Sequence, residues 1–186
     1  MNLGFLKELS IEKSNSMTYK FYKKIVFIIL PIILIDCGAY SFTGISISEN
    51  TKTFQVNYFQ NNSDLIEPGI ERDFTIALQD LILNQTNLSL VKSNGDILYE
   101  GEIVEYRISP TTATSNNTAD QNRLTISINV RFINKNDEES DFEKRFSFFY
   151  DYAGNAQLIG SQKTTAIKEI YDRITQDIIN TSLANW

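Results

Sequence analysis

The stretch from Lys23 to Cys37 constrains this chain most, because it decides the compartment in which everything after it folds. Lys23 and Lys24 are followed by an apolar run from Ile25 to Ile35, broken once by Pro31, and then by Asp36 and Cys37. A helix that crosses about 30 Å of hydrocarbon at about 1.5 Å per residue needs roughly 20 apolar residues. This run is far shorter, and a short apolar core behind a cationic stretch is the h-region of a secretory signal. The competing reading is a buried anchor helix carrying an incidental cysteine.

The end of the run favours the signal. Leu34-Ile35-Asp36-Cys37-Gly38 resembles the bacterial lipobox, in which a peptidase cuts before a diacylated cysteine and Leu stands third before the cut. Asp36 departs from the small residue usual at its position. Lipidation is therefore expected at Cys37, which becomes the first residue of the mature chain. Cys37 is also the only cysteine, so no internal disulfide is available and acylation uses the odd thiol. Residues 1–16 lack the basic bias of an n-region, whereas Met17 to Lys24 has it, which puts the start of translation at Met17. The expected organisation is a signal peptide over 1–36, a lipidated tether over 37–50 and a single domain over 51–186.

The mature chain, Cys37 to Trp186, keeps 12 Lys+Arg against 20 Asp+Glu, a net charge of −8. Such a chain repels nucleic-acid phosphates, and no basic block offsets the repulsion. Its 150 residues suffice for one domain with a full core.

Periodicity supplies the elements. Thr53 to Phe59 alternates, with Phe54, Val56 and Tyr58 on one face of a strand. After Asn61-Asn62-Ser63-Asp64, Pro68 and Gly69 introduce a helix with Ile70, Phe74, Ala77, Leu78, Leu81 and Ile82 along one stripe, and Glu71, Arg72, Asp73 and Asp80 looking outward. A short strand, Leu88 to Val91, is expected to turn through Asn94-Gly95 into a longer one, Ile97 to Ser109, as a hairpin. Within that strand the inward parity changes from Tyr99, Gly101 and Ile103 to Val104, Tyr106 and Ile108, which predicts a β-bulge near Ile103. Pro110 is expected to end the strand, leaving Thr111 to Asn122 as a polar, mobile or partner-contacting loop.

Arg123 to Asn134 is the cleanest strand, with Leu124, Ile126, Ile128, Val130 and Phe132 on one side. Its return partner, Asp141 to Tyr152, carries Phe142, Phe146, Phe148, Tyr150 and Tyr152 on one parity. Thr164 to Leu183 reads as a second amphipathic helix, striped by Ile167, Ile170, Tyr171, Ile174, Ile178 and Thr181. The fold class is α+β, in the order β-α-β-β-β-β-α: two helices packed on one face of a mostly antiparallel sheet of four to five strands.

Chemistry is scarce. With no histidine there is no Ser-His or Cys-His pair, no imidazole base and no His-based metal site. Glu100 with Glu102, and Asp137-Glu138-Glu139, are carboxylate groupings, but the first falls on a solvent-side strand face and the second in a turn. No Gly-rich phosphate loop occurs. The expectation is a protein that is not an enzyme and needs no cofactor and no metal. The surface that suggests a use is the outward side of the last two long strands, where Thr125, Ser127, Asn129, Arg131, Glu143, Arg145 and Ser147 form a hydrogen-bonding strip. That chemistry suits lipid head groups or the polar inner wall of a barrel; the plainer reading is a solvated sheet face.

Several segments, in order, carry a resemblance: Cys37-Gly38-Ala39-Tyr40-Ser41-Phe42-Thr43-Gly44, Tyr58-Phe59-Gln60-Asn61-Asn62, Glu100-Gly101-Glu102-Ile103, Ile108-Ser109-Pro110, Asn122-Arg123-Leu124-Thr125-Ile126 and Asn185-Trp186. Together they resemble the lipopolysaccharide-assembly lipoproteins of the LptE family, in particular the Bacteroidetes branch. The resemblance implies a two-helix α/β domain, anchored by lipid to the periplasmic face of the outer membrane. It implies as partner the LptD β-barrel, inside which such a protein acts as plug and assembly factor, with lipopolysaccharide as a further ligand. The charge of −8 opposes direct binding of a polyanion unless Arg107, Arg123, Arg131 and Arg145 gather on one patch. The partner-contact residues expected on the strip are Thr125, Ser127, Asn129, Arg131 and Arg145. The rival function is a ligand- or lipid-binding auxiliary lipoprotein of another transport or secretion system, which predicts an apolar cavity between helices and sheet.

Overall fold

The computed structural model describes residues 47–113 and 119–184. The signal segment, Cys37, most of the tether, residues 114–118 and Asn185-Trp186 lie outside the described residues, and so do the expectations placed on them.

The elements follow the expected order. Strands β1 (Thr53–Val56) and β2 (Gln60–Asn61) precede helix α1 (Ile70–Gln85) and a short strand β3 (Ser89–Leu90). The long strands β4 (Ile97–Ala113), β5 (Ala119–Asn134) and β6 (Phe142–Ala153) come next, and helix α2 (Gly160–Leu183) closes the fold. The sheet order is β3-β1-β4-β5-β6, with β2 pairing β4 beyond the end of β1. β4, β5 and β6 are antiparallel as expected, whereas β1 runs parallel to both β3 and β4, and β2 parallel to β4, so the sheet is mixed.

The parallel half arises because Asn94-Gly95 does not make a hairpin. Asn94 does adopt a left-handed conformation, φ 58°, but β3 pairs with β1 and the segment after it steps across to the far side of β1. Asp96 fixes that step: its carboxylate accepts from the Lys52 and Thr53 amides at 2.9 and 2.8 Å and from the Thr53 hydroxyl at 2.8 Å. Gly95 lies so close to β1 that a Cβ there would sit 2.8 Å from the Gln55 nitrogen. The turn is thus tied to the backbone of β1, which takes the edge of β4 and leaves β3 on its other side.

Two further expectations are corrected. Tyr58 does not continue the inward row of Phe54 and Val56; it is 58% exposed, and Phe59 is buried instead. Regular pairing lapses after Val56, and Phe59 turns in to meet Phe74 edge-to-face at 4.9 Å, its amide donating to the Thr75 hydroxyl. Pro110 does not end β4 either. It stands opposite Asn122, and the register slips between Pro110 and Thr112, the kind of irregularity at which a sheet tolerates a residue with no N–H. The ladder then continues to Ala113 opposite Ala119, so much of the expected loop is strand.

Both helices cover one face. The inward row of β5, Leu124, Ile126, Ile128, Val130 and Phe132, is fully buried. Ile70, Phe74, Leu78 and Ile82 of α1 join the same core as Ile170, Tyr171, Ile174, Ile178 and Ile179 of α2. Each such side chain contributes roughly 1.5–3 kcal/mol of transfer free energy before the entropy of ordering it is counted. The helices are locked by Tyr171, whose ring lies 5.2 Å from Phe74 and whose hydroxyl donates to the Ile70 carbonyl at 2.9 Å. Helix α2 begins at Gly160, a turn earlier than expected, and Thr181 lies on its exposed side, bonded to the Asp177 carbonyl.

Candidate functional site

The face of the sheet turned away from the helices carries the predicted strip. Cross-strand register sets its rows: Glu100–Arg131–Glu143, Glu102–Asn129–Arg145, Glu105–Ser127–Ser147, Arg107–Thr125–Phe149 and Ser109–Arg123–Asp151. Thr125, Ser127, Asn129, Arg131 and Arg145 therefore do share one face. They are not equally available: Ser127 is 1% exposed, Thr125 and Asn129 are half-buried, and Arg131 and Arg145 are exposed.

Ser127 is buried by a carboxylate that the strip did not include. The bulge predicted near Ile103 is present: Ile103 pairs with Ile128 and Glu105 with Ser127, leaving Val104 as the extra residue. That insertion reverses the side-chain alternation and swings Glu105 to the outer face, where it would otherwise point inward. Glu105 there accepts from the Ser127 hydroxyl at 2.7 Å, from Arg107 Nε at 2.7 Å and from an Arg145 Nη2 at 2.7 Å. The Ser127 and Ser147 hydroxyls lie 2.9 Å apart, extending the network across three strands. The Ser127 hydrogen bond, then Arg107 and Arg145, hold the Glu105 carboxyl below the usual carboxylate range, outweighing the opposing effect of its partial burial.

The other arginines of the face are tied in the same way. Arg123 grips Asp151 with two hydrogen bonds of 2.7 and 2.8 Å, and its guanidinium stacks 3.5 Å over the exposed Phe149 ring. Arg123 in turn keeps the Asp151 carboxyl low. Arg131 reaches Glu100 at 3.3 Å, and Glu100 also accepts from Asn57 at 3.0 Å. All four arginines, 107, 123, 131 and 145, thus lie on one face, and each is matched to a carboxylate. Among the described residues, Glu102 and Glu143 have no cationic partner. They flank a polar groove of about 460 Å³ lined by Asn57, Tyr58, Gln60, Asn129 and Arg131.

The helical side offers a cleft of about 610 Å³ between α1 and α2, with Ala77, Leu81 and Ile167 at its floor and Asp73, Asp80, Lys163 and Lys168 around it. It lies between the helices, not between the helices and the sheet. No grouping of three or more acidic, Cys or His side chains suited to a metal ion occurs among the described residues, and no described helix is long and apolar enough to cross a membrane.

A family model described as LptE, lipopolysaccharide-assembly, matches residues 51–182. The chain belongs to the LptE family. No curated protein matches this LptE-family chain in sequence. Among solved structures, the hypothetical protein CT253 from Chlamydia trachomatis superimposes with a TM-score of 0.52 at 8% identity, over 73% of this chain and 99% of that one. Protein XCC0632 from Xanthomonas campestris gives 0.50 at 7% identity, over 75% and 90%. Rare lipoprotein B from Shewanella oneidensis gives 0.45 at 15% identity, over 68% and 95%. The first two likenesses are likenesses of fold. Members of the LptE family are outer-membrane lipoproteins of lipopolysaccharide assembly, and this chain carries that family's domain.

Proposed function

We propose that this LptE-family protein is held at the outer membrane by acylated Cys37, facing the periplasm, and that it assembles with and plugs an LptD-like β-barrel. The observation that carries the reading is the outer sheet face. It is polar, its side chains are fixed by cross-strand bonds, and its arginines are already neutralised, so it suits a matching polar wall better than a free polyanion. Lipopolysaccharide would have to displace Glu105, Asp151 or Glu100 to reach a guanidinium, which favours a structural role over tight direct recognition of the lipid. The role requires no catalysis, cofactor or metal. Consistent with a plug, the inward row of β5 is closed off by the helices, where an auxiliary ligand-binding lipoprotein would need an apolar cavity.

The test is affinity purification of the tagged full-length chain from detergent-solubilised outer membranes. A large β-barrel should come with it in near-stoichiometric amount. The yield should fall sharply with Cys37→Ala and with the paired change Thr125→Glu and Asn129→Glu on the sheet face. Recovery of only inner-membrane transporter subunits or soluble proteins would overturn the reading and promote the auxiliary-lipoprotein alternative.

A further inference from the structure

Among the described residues, the sheet order leaves β6 with one side unpaired along its full length. Its ladder to β5 runs without a register shift from Gln121↔Ala153 to Phe132↔Phe142, and the strand contains no proline. A long, regular, aromatic edge of this kind is a template for another strand. Its own sequence supplies a match. Two copies of β6 laid antiparallel about Phe148 would set Arg145 opposite Asp151 of the second copy and Phe146 opposite Tyr150, whereas moving the centre to Ser147 would set Glu143 against Asp151, like against like.

One residue breaks this self-complementarity. Phe142, Phe146, Phe148, Tyr150 and Tyr152 make the helix-facing row apolar, but Lys144 stands in the same row, opposite the fully buried Val130. The lysine side chain is exposed, with its ammonium 5.1 Å from the Phe146 ring centroid. It reaches water on the side of β6 where no described strand pairs. In the two-copy sheet Lys144 would be set beside Tyr152 of the second copy on the helix-covered side, once from each strand, and two ammonium groups would lose water.

We propose that Lys144 guards the free edge of β6 against pairing with β6 of a second copy. The experiment is sedimentation equilibrium of the full-length chain in detergent, with amide hydrogen exchange along β6. The wild type should be monomeric, and Lys144→Val should lower the dimer dissociation constant at least tenfold and slow exchange of the outward amides of β6. Lys144→Thr should shift in the same direction, which keeps the test open should the valine variant misfold. Lys144→Arg should stay monomeric, and adding Arg145→Asp to Lys144→Val should restore the monomer by opposing Asp151 of the second copy. Folded Val and Thr variants that remain monomeric, a wild type already protected along that edge, or a dimeric Lys144→Arg would each overturn the proposal.

Discussion

At the residue scale, Glu105 and Gly101 show two ways in which one position governs a whole face. Glu105 closes the outer network. Replacing it with Ala takes the charged acceptor from buried Ser127, leaving it the Ser147 hydroxyl, and releases Arg107 and Arg145, at an expected cost of about 1–2 kcal/mol, the lower part of the range for charged hydrogen bonds because both arginines are largely exposed. Urea denaturation measures it. Gly101 acts through its lack of a side chain: a Cβ there would run into the Asn129 carbonyl and the Phe59 ring. Gly101→Ala should therefore destabilise by about 1–3 kcal/mol through overpacking, read as a lower urea midpoint with an unchanged slope.

At the scale of elements, Phe74 of α1 joins the segment between β1 and β2 to α2, touching Phe59 on one side and Tyr171 on the other. Truncation to Ala should cost about 3–5 kcal/mol, a loss expected for a fully buried aromatic and measurable by the same denaturation. The helices, the strand β5–β6 pair and the bulge in β4 were all legible in the sequence, because each is written as a repeating pattern with a period of its own. The bulge also contained the signal for Glu105: once Tyr106 follows Ile103 inward, Glu105 and Arg107 must point out. What periodicity could not convey was partner choice. Asn94-Gly95 has the backbone freedom of a hairpin, yet Asp96 bonds to Lys52 and Thr53, more than forty positions earlier in the chain, and no local pattern records that. The exchange of Tyr58 for Phe59 in the inward row has the same cause, since the contact of Phe59 with Phe74 is a tertiary effect. Of the outer strip, the shared face was readable from alternation, but the burial of Ser127 and most of the arginine pairings depended on which residues the neighbouring strands brought alongside.

For the whole molecule, the depressed carboxyls give a stability profile with a definite sign. Asp96 is lowered chiefly by the Lys52 amide and then by Thr53, Glu105 chiefly by Ser127, and Asp151 chiefly by Arg123. A group whose folded pKa lies below its unfolded value binds more protons when unfolded, so its contribution is complete above the ordinary carboxylate range. It declines as pH falls through that range and is gone below the depressed folded value. The melting temperature should accordingly fall on acidification below the ordinary carboxylate range, and Glu105→Gln should flatten part of that decline. An acid arm unchanged by the substitution would remove Glu105 from the account.

The mixed sheet described above also has a consequence in time. β4, β5 and β6 follow one another in the chain with few residues between them, so their ladders close short loops, whereas docking β1 onto β4 joins segments on either side of a whole helix and must await it. Loop-closure entropy therefore places the antiparallel half early in folding and the parallel half late. In pulse-labelled hydrogen exchange during refolding, amides shared by β4 and β5 should gain protection before those of β1, and the protein's last step should be the arrival of its own first strand.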